Sequence, residues 1–460
     1  MNVTVIDGGS GARMPDAAVI ALSTRSGVRV DGLTDMNGQT TLSEESLFHP
    51  LNVTAAKEGF EATTIEDIMV ENVTIILFPN GGEGGPPEPI PLPTLAGTVT
   101  GLDELPKAID DSSVNVIVVE TSHTSPFNRT RLPDPGPGGL LYEDGPFTIM
   151  ARPGELAVIA TAGTIQRSAI ANYQAGAIDY WTMRRSLRPI AMGMRRFVSA
   201  SPGEAIMNID VTLDHPLDLV IPVDLDNPPR NIDTGPQRYA VLPRLNLGPE
   251  GFWELDTQAE ALDATLALNQ MPRLDGWDQD ITYYLIGFAY SRTANNLPYS
   301  VSIEETRNVR GGLFIGPFVG TTQVQAPASG GVLDTGGQVV WSVHDGIESP
   351  DRPITPPSAN LILIEEPAFG PPKPLWRYVT PSDVTEFVFP ALPEAAGEAG
   401  LGQGPMYLTI MPFIIEGENF DFEDFTYDAL NMGRWKAWSM NTTRFVRGQS
   451  NEPPAGDDDQ

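Results

Sequence analysis

Residues 18–38, AVIALSTRSGVRVDGLTDMNG, decide the fold that we predict for this chain. Two short apolar segments, Val19 to Leu22 and Val28 to Val30, are followed by the dipeptides Asp31-Gly32 and Asn37-Gly38. Such dipeptides favour the tight turns of β-hairpins. Apolar segments this short, with a period of two and separated by turns, predict a β-sandwich.

The same pattern extends over residues 1–79, where Asp7-Gly8-Gly9 supplies a further turn signal. More short strands are predicted around the apolar residues Val3, Val5, Val53, Val73, Ile75 and Leu77. We therefore expect residues 1–79 to form one antiparallel sandwich.

Residues 80–94, NGGEGGPPEPIPLPT, mark the clearest boundary, because they contain almost nothing to bury. Gly-rich sequence is flexible and Pro-rich sequence is extended, so a linker is predicted here. A chain of 460 residues is expected to hold about three or four domains. The predicted division is a first unit (1–79), the linker (80–94), a second unit (95–215), a third unit (216–321), a fourth unit (322–448) and an acidic disordered tail (449–460).

Turn-separated apolar segments continue through the later units and predict an all-β chain of tandem antiparallel sandwiches with little helix. The 45 glycines and 43 prolines favour turns over long helices. Ile281 to Tyr290 is a long apolar segment with an expected hairpin partner at Tyr299 to Ile303. Residues 165–196 are less regular, with one helix expected near 168–185, and 311–320 suggest a hinge or edge. Other predicted strands cover 95–100, 114–120, 156–161, 206–213, 339–343, 361–365, 376–379, 386–389, 407–413 and 436–446.

The charge balance argues against nucleic acid as a partner. Sixty acidic residues against 28 basic ones give a net charge of −32, and a field of this sign repels a polyanion. Surface solubility explains such an excess. Calcium binding by clustered carboxylates is the alternative that stays open.

The sequence lacks cysteine, a transmembrane segment and an export signal, and each absence limits the function classes that we expect. There is no cysteine, which removes disulfides, thiolate metal sites and a cysteine nucleophile. No run of about 18 apolar residues is present for a transmembrane segment. Residues 1–7 lack the basic and apolar regions of an export signal and already alternate like a strand. We therefore expect a mature or trimmed form of a longer, exported protein.

Three stretches of the first unit match the pattern of a known family. Residues 13–19, RMPDAAV, fit its small–Pro–Gly/Asp–Ala–x–Val entry to the second strand. Residues 34–40, TDMNGQT, fit its T-D-x-x-G hairpin, and residues 53–60, VTAAKEGF, stand where it has a strand ending in Gly-Tyr. In these features the first unit resembles the carboxypeptidase regulatory-like domain, a transthyretin-like sandwich, with Asp16 and Phe60 as mild departures.

Parts of the later units carry weaker resemblances. Residues 96–99, 144–147 and 152–156 of the second unit are similar to the same family, with an insert at 121–143. Through residues 245–251, 271–276 and 435–438, the third and fourth units loosely resemble C-terminal halves of bacterial cell-surface proteins and lipoproteins. From about 322 the sequence looks like a fibronectin-III-like sandwich with Trp341 and Trp376 as core aromatics. In such proteins these domains support, space or bind, and the resemblance implies no catalytic residues.

Motifs for catalysis are weak. The histidines, His49, His123, His215 and His344, lack partners at metal-ligand spacing. Residues 8–11, GGSG, follow a strand but lack the Lys-Ser/Thr of a phosphate loop, so a turn is predicted. No Gly-x-Ser-x-Gly elbow is present. No residue is assigned to a catalytic, cofactor or metal site, and we expect the protein not to be an enzyme.

Three clusters have both a structural and a functional interpretation. Asp224, Asp226, Asn227 and Asp233, and Asp275, Asp278 and Asp280, are either turn-capping residues or calcium ligands. The basic cluster is a solvated insert, a surface that pairs with an acidic face of a neighbouring domain, or a binding site for an anionic polysaccharide. Its members are Arg184, Arg185, Arg188, Arg195 and Arg196. The C-terminal aromatic residues are either core or an exposed sugar platform; they are Phe413, Phe420, Phe422, Phe425, Tyr427, Trp435 and Trp438.

The sequence therefore predicts a non-catalytic, multidomain structural or adhesive protein, extracellular or at the cell surface. Its expected partner is a protein or a polysaccharide. The alternative is a carbohydrate-binding or carbohydrate-active envelope protein that uses Trp435 and Trp438.

Overall fold

The computed structural model describes residues 1–80, 90–108, 110–127, 139–229, 237–255, 259–291, 297–333, 337–344, 355–368, 372–397, 399–417 and 420–448. Residues 81–89 of the predicted linker, the predicted tail at 449–460 and Asp233 lie outside these ranges.

The strands, in chain order, are β1 (Asn2–Asp7), β2 (Ala18–Ser23), β3 (Arg29–Leu33), β4 (Gln39–Thr41), β5 (Leu51–Ala56), β6 (Ala62–Ile68), β7 (Asn72–Leu77), β8 (Thr94–Thr100), β9 (Ser113–Thr121), β10 (Leu140–Leu141), β11 (Gly145–Met150), β12 (Gly154–Gln166), β13 (Arg188–Ala200), β14 (Ala205–Thr212) and β15 (His215–Leu225). They continue with β16 (Gln237–Asn246), β17 (Phe252–Glu254), β18 (Ala259–Ala261), β19 (Thr265–Pro272), β20 (Thr282–Ser291), β21 (Tyr299–Thr306), β22 (Leu313–Ile315), β23 (Thr321–Ala326), β24 (Val332–Leu333), β25 (Gln338–His344), β26 (Ala359–Glu366), β27 (Lys373–Pro381), β28 (Glu386–Val388), β29 (Gly404–Ile415) and β30 (Trp435–Arg447).

Helical structure in the described ranges is short. The α-helices are α1 (Arg167–Gln174) and α2 (Tyr180–Arg184). Single 3-10 turns occur at Leu102–Glu104, Gly248–Glu250, Glu394–Ala396, Phe422–Asp424, Tyr427–Leu430 and Met432–Arg434. The prediction of an all-β chain of sandwiches is thus confirmed.

The first unit packs two sheets around one apolar core. One sheet has the order β4-β1-β7, and strands β3, β2, β5 and β6 lie side by side in the other. Fully buried apolar residues of both sheets meet between them: Val5, Val19, Val53, Ile65 and Ile75. The period-two pattern in the sequence therefore marks the inward-facing side of each strand.

The second sheet of the first unit does not end at β6. Strand β27 of the fourth unit pairs with β6 in parallel, with Trp376 opposite Ala62 and Val379 opposite Ile65. The indole Nε1 of Trp376 donates to Thr64 Oγ1 at 3.0 Å. Because backbone and side-chain bonds both cross this junction, the first and fourth units share one continuous sheet.

Other strand pairs join the remaining units. Strand β21 of the third unit pairs with β30 of the fourth, placing Tyr299 opposite Met440. Strand β13 of the second unit pairs with β15, placing Met192 opposite His215. The long sheet runs in the order β17-β16-β20-β21-β30-β29-β26-β27-β6-β5-β2-β3. The division into units stays a prediction, and hydrogen-bonded strands connect the units that it separates.

The predicted single helix near 168–185 is wrong, because the structure has two short helices there. Helix α1 ends before Gly176, which has a φ of 70°, a conformation that glycine adopts without steric cost. Asp179 then caps α2 by accepting a hydrogen bond from the Thr182 N–H at 2.6 Å. A helix terminator and a helix start therefore interrupt the segment that one helix would have spanned.

Candidate functional site

The site that we consider lies where the second unit meets the third. Ser122 Oγ donates to the Glu250 carbonyl at 2.6 Å, and His123 exchanges backbone hydrogen bonds with Phe252. Gly251 has a φ of 93°, and a Cβ there would lie 1.9 Å from the His123 carbonyl oxygen. Only glycine allows this approach, so the turn holding Glu250 is fixed against the second unit.

A β-bulge in β13 faces that turn. Val198 lies opposite Leu156 and Arg195 opposite Val158, so Arg196 and Phe197 together face one residue of β12. A bulge of this kind bends the strand and redirects its side chains. Phe197 has a φ of 57°, a left-handed conformation that is unfavourable for a bulky residue.

The Glu250 carboxylate holds both bulge residues. Its Oε1 accepts the Phe197 N–H at 2.6 Å, and its Oε2 accepts the Arg196 Nε–H at 2.6 Å. Glu250 is fully buried. A buried carboxylate needs partners of this kind, because burying it alone is costly. The bulge of the second unit is therefore stabilised by a side chain of the third.

The rest of the Arg196 guanidinium binds the loop between β19 and β20. Its Nη1 donates to Asp278 Oδ2 at 2.8 Å and to Asp280 Oδ1 at 2.9 Å, and its Nη2 donates to Asp280 Oδ2 at 2.8 Å. Its hydrogen bonds to Asp280 lower the pKa of that carboxyl group. One arginine of the second unit thus binds three carboxylates of the third.

One alternative for the basic cluster was pairing with an acidic neighbouring domain. Arg196 shows this pairing, whereas Arg184 and Arg185 do not. Arg184 is buried and forms an ion pair with Glu120 of its own unit at 2.9 Å. Arg185 donates to the Trp181 carbonyl. Because Arg184, Arg185 and Arg196 have separate partners, these three do not form one basic surface.

The loop is also fixed from its other side by Arg307. The Arg307 Nη2 donates to the Leu274 carbonyl at 3.0 Å, and its Nη1 donates to the carbonyls of Ile281, at 2.6 Å, and Asp278. Trp277, in the middle of the loop, is 8% exposed. Arg196 of β13 and Arg307, which follows β21, therefore hold this loop from two sides.

Trp277 anchors His215 within the same site. The indole Nε1 donates to His215 Nδ1 at 2.9 Å, and His215 Nε2 lies 3.3 Å from Asp214 Oδ1. Burial lowers the pKa of His215, and the Asp214 charge opposes this effect. Because Nδ1 accepts a hydrogen bond, the neutral ring carries its proton on Nε2. With both nitrogens occupied, His215 is unsuited to bind a metal or act as a base.

We expect the pKa of His215 to lie below its usual 6.5, and Asp214→Asn to lower it further, since the carboxylate favours the charged ring. NMR titration of the imidazole protons measures both values. An unchanged or higher pKa in Asp214→Asn would contradict this geometry. His49→Asn, which removes a histidine of the first unit, provides the assignment control.

A cleft of about 430 Å³ opens beside these residues. It is lined by Met194, Arg195, Arg196, Phe197, His215, Gly276, Trp277, Asp278 and Ile281. The Phe197 side chain projects into solvent and is 67% exposed. The Arg196 guanidinium carbon lies 4.4 Å from the centre of the Phe197 ring and covers part of it. The cleft thus combines an exposed aromatic ring with charged groups of both signs.

The remaining histidines are not part of this cleft. His49 Nδ1 lies 3.0 Å from the Ile68 carbonyl oxygen in the first unit, and His123 is buried at the interface of the second and third units. The side chain of His344 lies outside the described residues. Within the described ranges, no three His, Asp or Glu residues are placed to hold a metal ion.

The two acidic stretches have partners within the protein. Asp278 and Asp280 bind Arg196, as described above, and Asp224 Oδ1 accepts a hydrogen bond from Thr265 Oγ1 at 2.6 Å. The Arg196 guanidinium therefore lies between the carboxylates of Asp278 and Asp280. Calcium binding by these stretches stays a prediction.

Of the two alternatives for the C-terminal aromatic residues, core or sugar platform, the structure shows core for both tryptophans. Trp435 and Trp438 are only 2% and 3% exposed. Trp435 stacks on Phe413 with 4.3 Å between ring centres, and its Nε1 donates to the Ala429 carbonyl at 2.7 Å. These indoles are core residues, as are Trp341 and Trp376, which were predicted to be buried.

Comparison with known proteins identifies no family. No family model matches the chain, and no curated protein matches it. Among solved structures, E. coli alpha-2-macroglobulin overlaps with 96% of this chain and 27% of its own, at 12% identity and a TM-score of 0.16. The FN1-FN3 domains of chicken CNTN1 overlap with 70% of this chain and 93% of their own, at 9% identity and a TM-score of 0.13. The N-terminal four Ig domains of Dscam1 isoform 8.4 overlap with 97% of this chain and 97% of their own, at 11% identity and a TM-score of 0.12. The chain spans about a quarter of the length of the alpha-2-macroglobulin chain.

The structural neighbours include Ig-like and fibronectin-III-like β-sandwich proteins. These overlaps are too weak to assign a function. Within the described residues, none of the helices has the length and apolar character needed to cross a bilayer.

Proposed function

We propose that this protein is a non-catalytic structural or adhesive component of the cell surface or extracellular space. In this proposal the first unit is a carboxypeptidase regulatory-like domain, and the protein presents a rigid surface to a protein or polysaccharide partner. The observation that carries the proposal is the parallel pairing of β27 with β6, which joins the first and fourth units in one sheet.

Rigid connection between units is what a supporting or spacing role requires. Besides the β6–β27 pairing, Glu61 of the first unit forms an ion pair with Arg377 of the fourth at 3.0 Å, and Glu61 is 1% exposed. Arg377 also lies 4.5 Å from the centre of the Phe78 ring. Buried charged pairs favour one geometry over alternatives in some proteins. We infer that these units move together.

Surface location is tested with antibodies raised against the purified protein. Intact cells of the source organism should be labelled by immunogold without permeabilisation. A cytoplasmic protein processed in parallel provides the control for leakage. Labelling that appears only after permeabilisation would contradict the proposed location.

We propose no resident cofactor for this protein, and calcium is the ion whose binding should be tested. The thermal midpoint of the purified protein should stay the same after dialysis against a chelator and after calcium is restored, because Arg196 already binds Asp278 and Asp280. A ligand that binds only the folded state raises the midpoint. A calcium-dependent rise that is abolished by Asp278→Asn would contradict the proposal.

A further inference from the structure

Phe197 combines a left-handed backbone, which the bulge of β13 and Glu250 stabilise, with a side chain that is left exposed. A left-handed backbone is unfavourable for an ordinary residue, and Phe197 adopts it with a φ of 57°. Phe197 is 67% exposed, so its side chain gains little from burial. Residues held in such conformations cluster at functional sites. The bulge and Glu250 therefore hold in solvent a ring that is available for a ligand.

The cleft beside Phe197 has the size of a small-ligand site. Its volume of about 430 Å³ lies in the range of about 300–1,000 Å³ found for ligand pockets. Met194 and Ile281 add apolar surface to the aromatic ring. Arg196 covers one face of the ring, and the high exposed fraction leaves the other face open. A flat, partly apolar ligand would stack on that face.

The charged groups at the cleft indicate a ligand without net charge. Arg195 is exposed and has no ion-pair partner among the described residues. The Asp278 side chain is 60% exposed although one of its oxygens binds Arg196. A strong anion would be repelled by Asp278 and a strong cation by Arg195. Hydroxyl groups, in contrast, donate to a carboxylate and accept from a guanidinium.

We propose that this cleft binds a neutral saccharide. One sugar ring places its apolar C–H face on Phe197, and its hydroxyl groups bind Asp278 and Arg195. This inference adds a ligand class to the proposed structural role. It does not depend on the cellular location, because it is tested with purified protein.

The test measures binding of maltotetraose, cellotetraose and the tetramer of N-acetylglucosamine by saturation-transfer NMR and calorimetry. We expect at least one to bind, and Phe197→Ala and Phe197→Asn each to weaken binding by about tenfold or more, the loss expected for one stacked ring. Asparagine tolerates the left-handed backbone, so Phe197→Asn separates loss of the ring from loss of folding. Arg195→Gln should weaken the same interaction.

The matched control is Phe314→Ala. Phe314 lies on β22, outside the residues lining the cleft, and is 60% exposed, so its removal should leave binding unchanged. The proposal is overturned if none of the neutral oligosaccharides binds, or if both Phe197 variants bind as the wild type does. Tighter binding of a heparin fragment or an oligolysine peptide would also overturn it.

Discussion

Replacing Arg196 with alanine is expected to lower the free energy of unfolding by about 3–5 kcal/mol, the range for breaking a buried ion pair by removing one partner. The Arg196 side chain is 9% exposed, and that of its partner Glu250 is fully buried. Without the guanidinium, Glu250 keeps the Phe197 N–H but loses its countercharge. Two further carboxylates, Asp278 and Asp280, would then repel each other.

The neighbouring residue provides a matched control for this prediction. Arg195→Ala removes the same side chain one position away, where it is exposed and forms no ion pair among the described residues. Its effect should stay within about 0.5 kcal/mol. Urea unfolding measures both values. Equal losses in the two variants would show that the buried network contributes no more than a surface arginine.

The second large effect is a loss of stability with rising pH that depends on Glu66. This residue lies on β6, is 6% exposed, and shares a bulge with Asp67 opposite Asn52. Burial, with a smaller contribution from the Asp67 charge, raises its pKa from 4.5 to about 8, while a hydrogen bond with Tyr378 of β27 opposes the shift. Asn52 Nδ2 donates to Glu66 Oε1 at 3.2 Å.

Because the pKa is raised in the folded state, the contribution of Glu66 to stability is complete below pH 4.5 and is lost as the pH rises toward 8. In this window the folded chain keeps a proton that the unfolded chain releases, at about 1.4 kcal/mol per pH unit. The loss is on the order of 4 kcal/mol. Glu66→Gln should therefore become more stable relative to the wild type as the pH rises from 5 to 8.

Urea unfolding at several pH values tests this prediction, with Glu44→Gln as the control at an exposed position of the same unit. The difference between Glu44→Gln and the wild type should stay constant with pH. A constant difference for Glu66→Gln as well would mean that Glu66 is ionised in the folded protein, contrary to its burial beside Tyr378.

Much of the strand content could be predicted from the sequence, because alternation is strong where one face of a strand is buried. The predicted hairpin of the third unit is β20 and β21, with Ile286 opposite Ile303. Strands β7 and β25 likewise fall on predicted apolar segments. Each of these strands has a local pattern that needs no knowledge of distant contacts.

Strand β13 was missed because its pattern is not periodic. Its middle, including Ala191 and Met192, is buried on both faces, so apolar residues do not alternate with polar ones. The bulge at Arg196 and Phe197 then shifts the alternation by one residue. The segment therefore seemed irregular, although it positions the candidate site.

Strand β6 was missed for a different reason. Its sequence, ATTIEDI, carries polar residues that are nevertheless buried, including Thr63 and Thr64. Thr64 accepts a hydrogen bond from Trp376 of β27, whereas Thr63 donates to the Ile76 carbonyl of β7. Strands β6 and β27 lie more than three hundred residues apart in the sequence. Nothing local in the sequence indicates such a partner.

The candidate site was predicted only in fragments. Arg196, Asp278 and Asp280 were each singled out, but for a basic cluster and for calcium, because their pairing spans more than eighty residues. Nothing in the sequence indicated a role for Glu250 or Phe197, because one glutamate in an acidic chain and one phenylalanine among 18 do not stand out. The basic cluster, unusual in a chain of net charge −32, was the sequence feature that pointed to Arg196.

The central claim is that the first and fourth units share one sheet through β6 and β27, and hydrogen exchange tests it most directly. We expect the amides of β6 that pair with β27, between Ala62 and Ile65, to exchange slowly and with the same opening free energy as those of β27. This protection should fall in both strands when Trp376 is replaced by alanine. Rapid exchange along β6, as at a free sheet edge, beside a protected β27 would contradict the account.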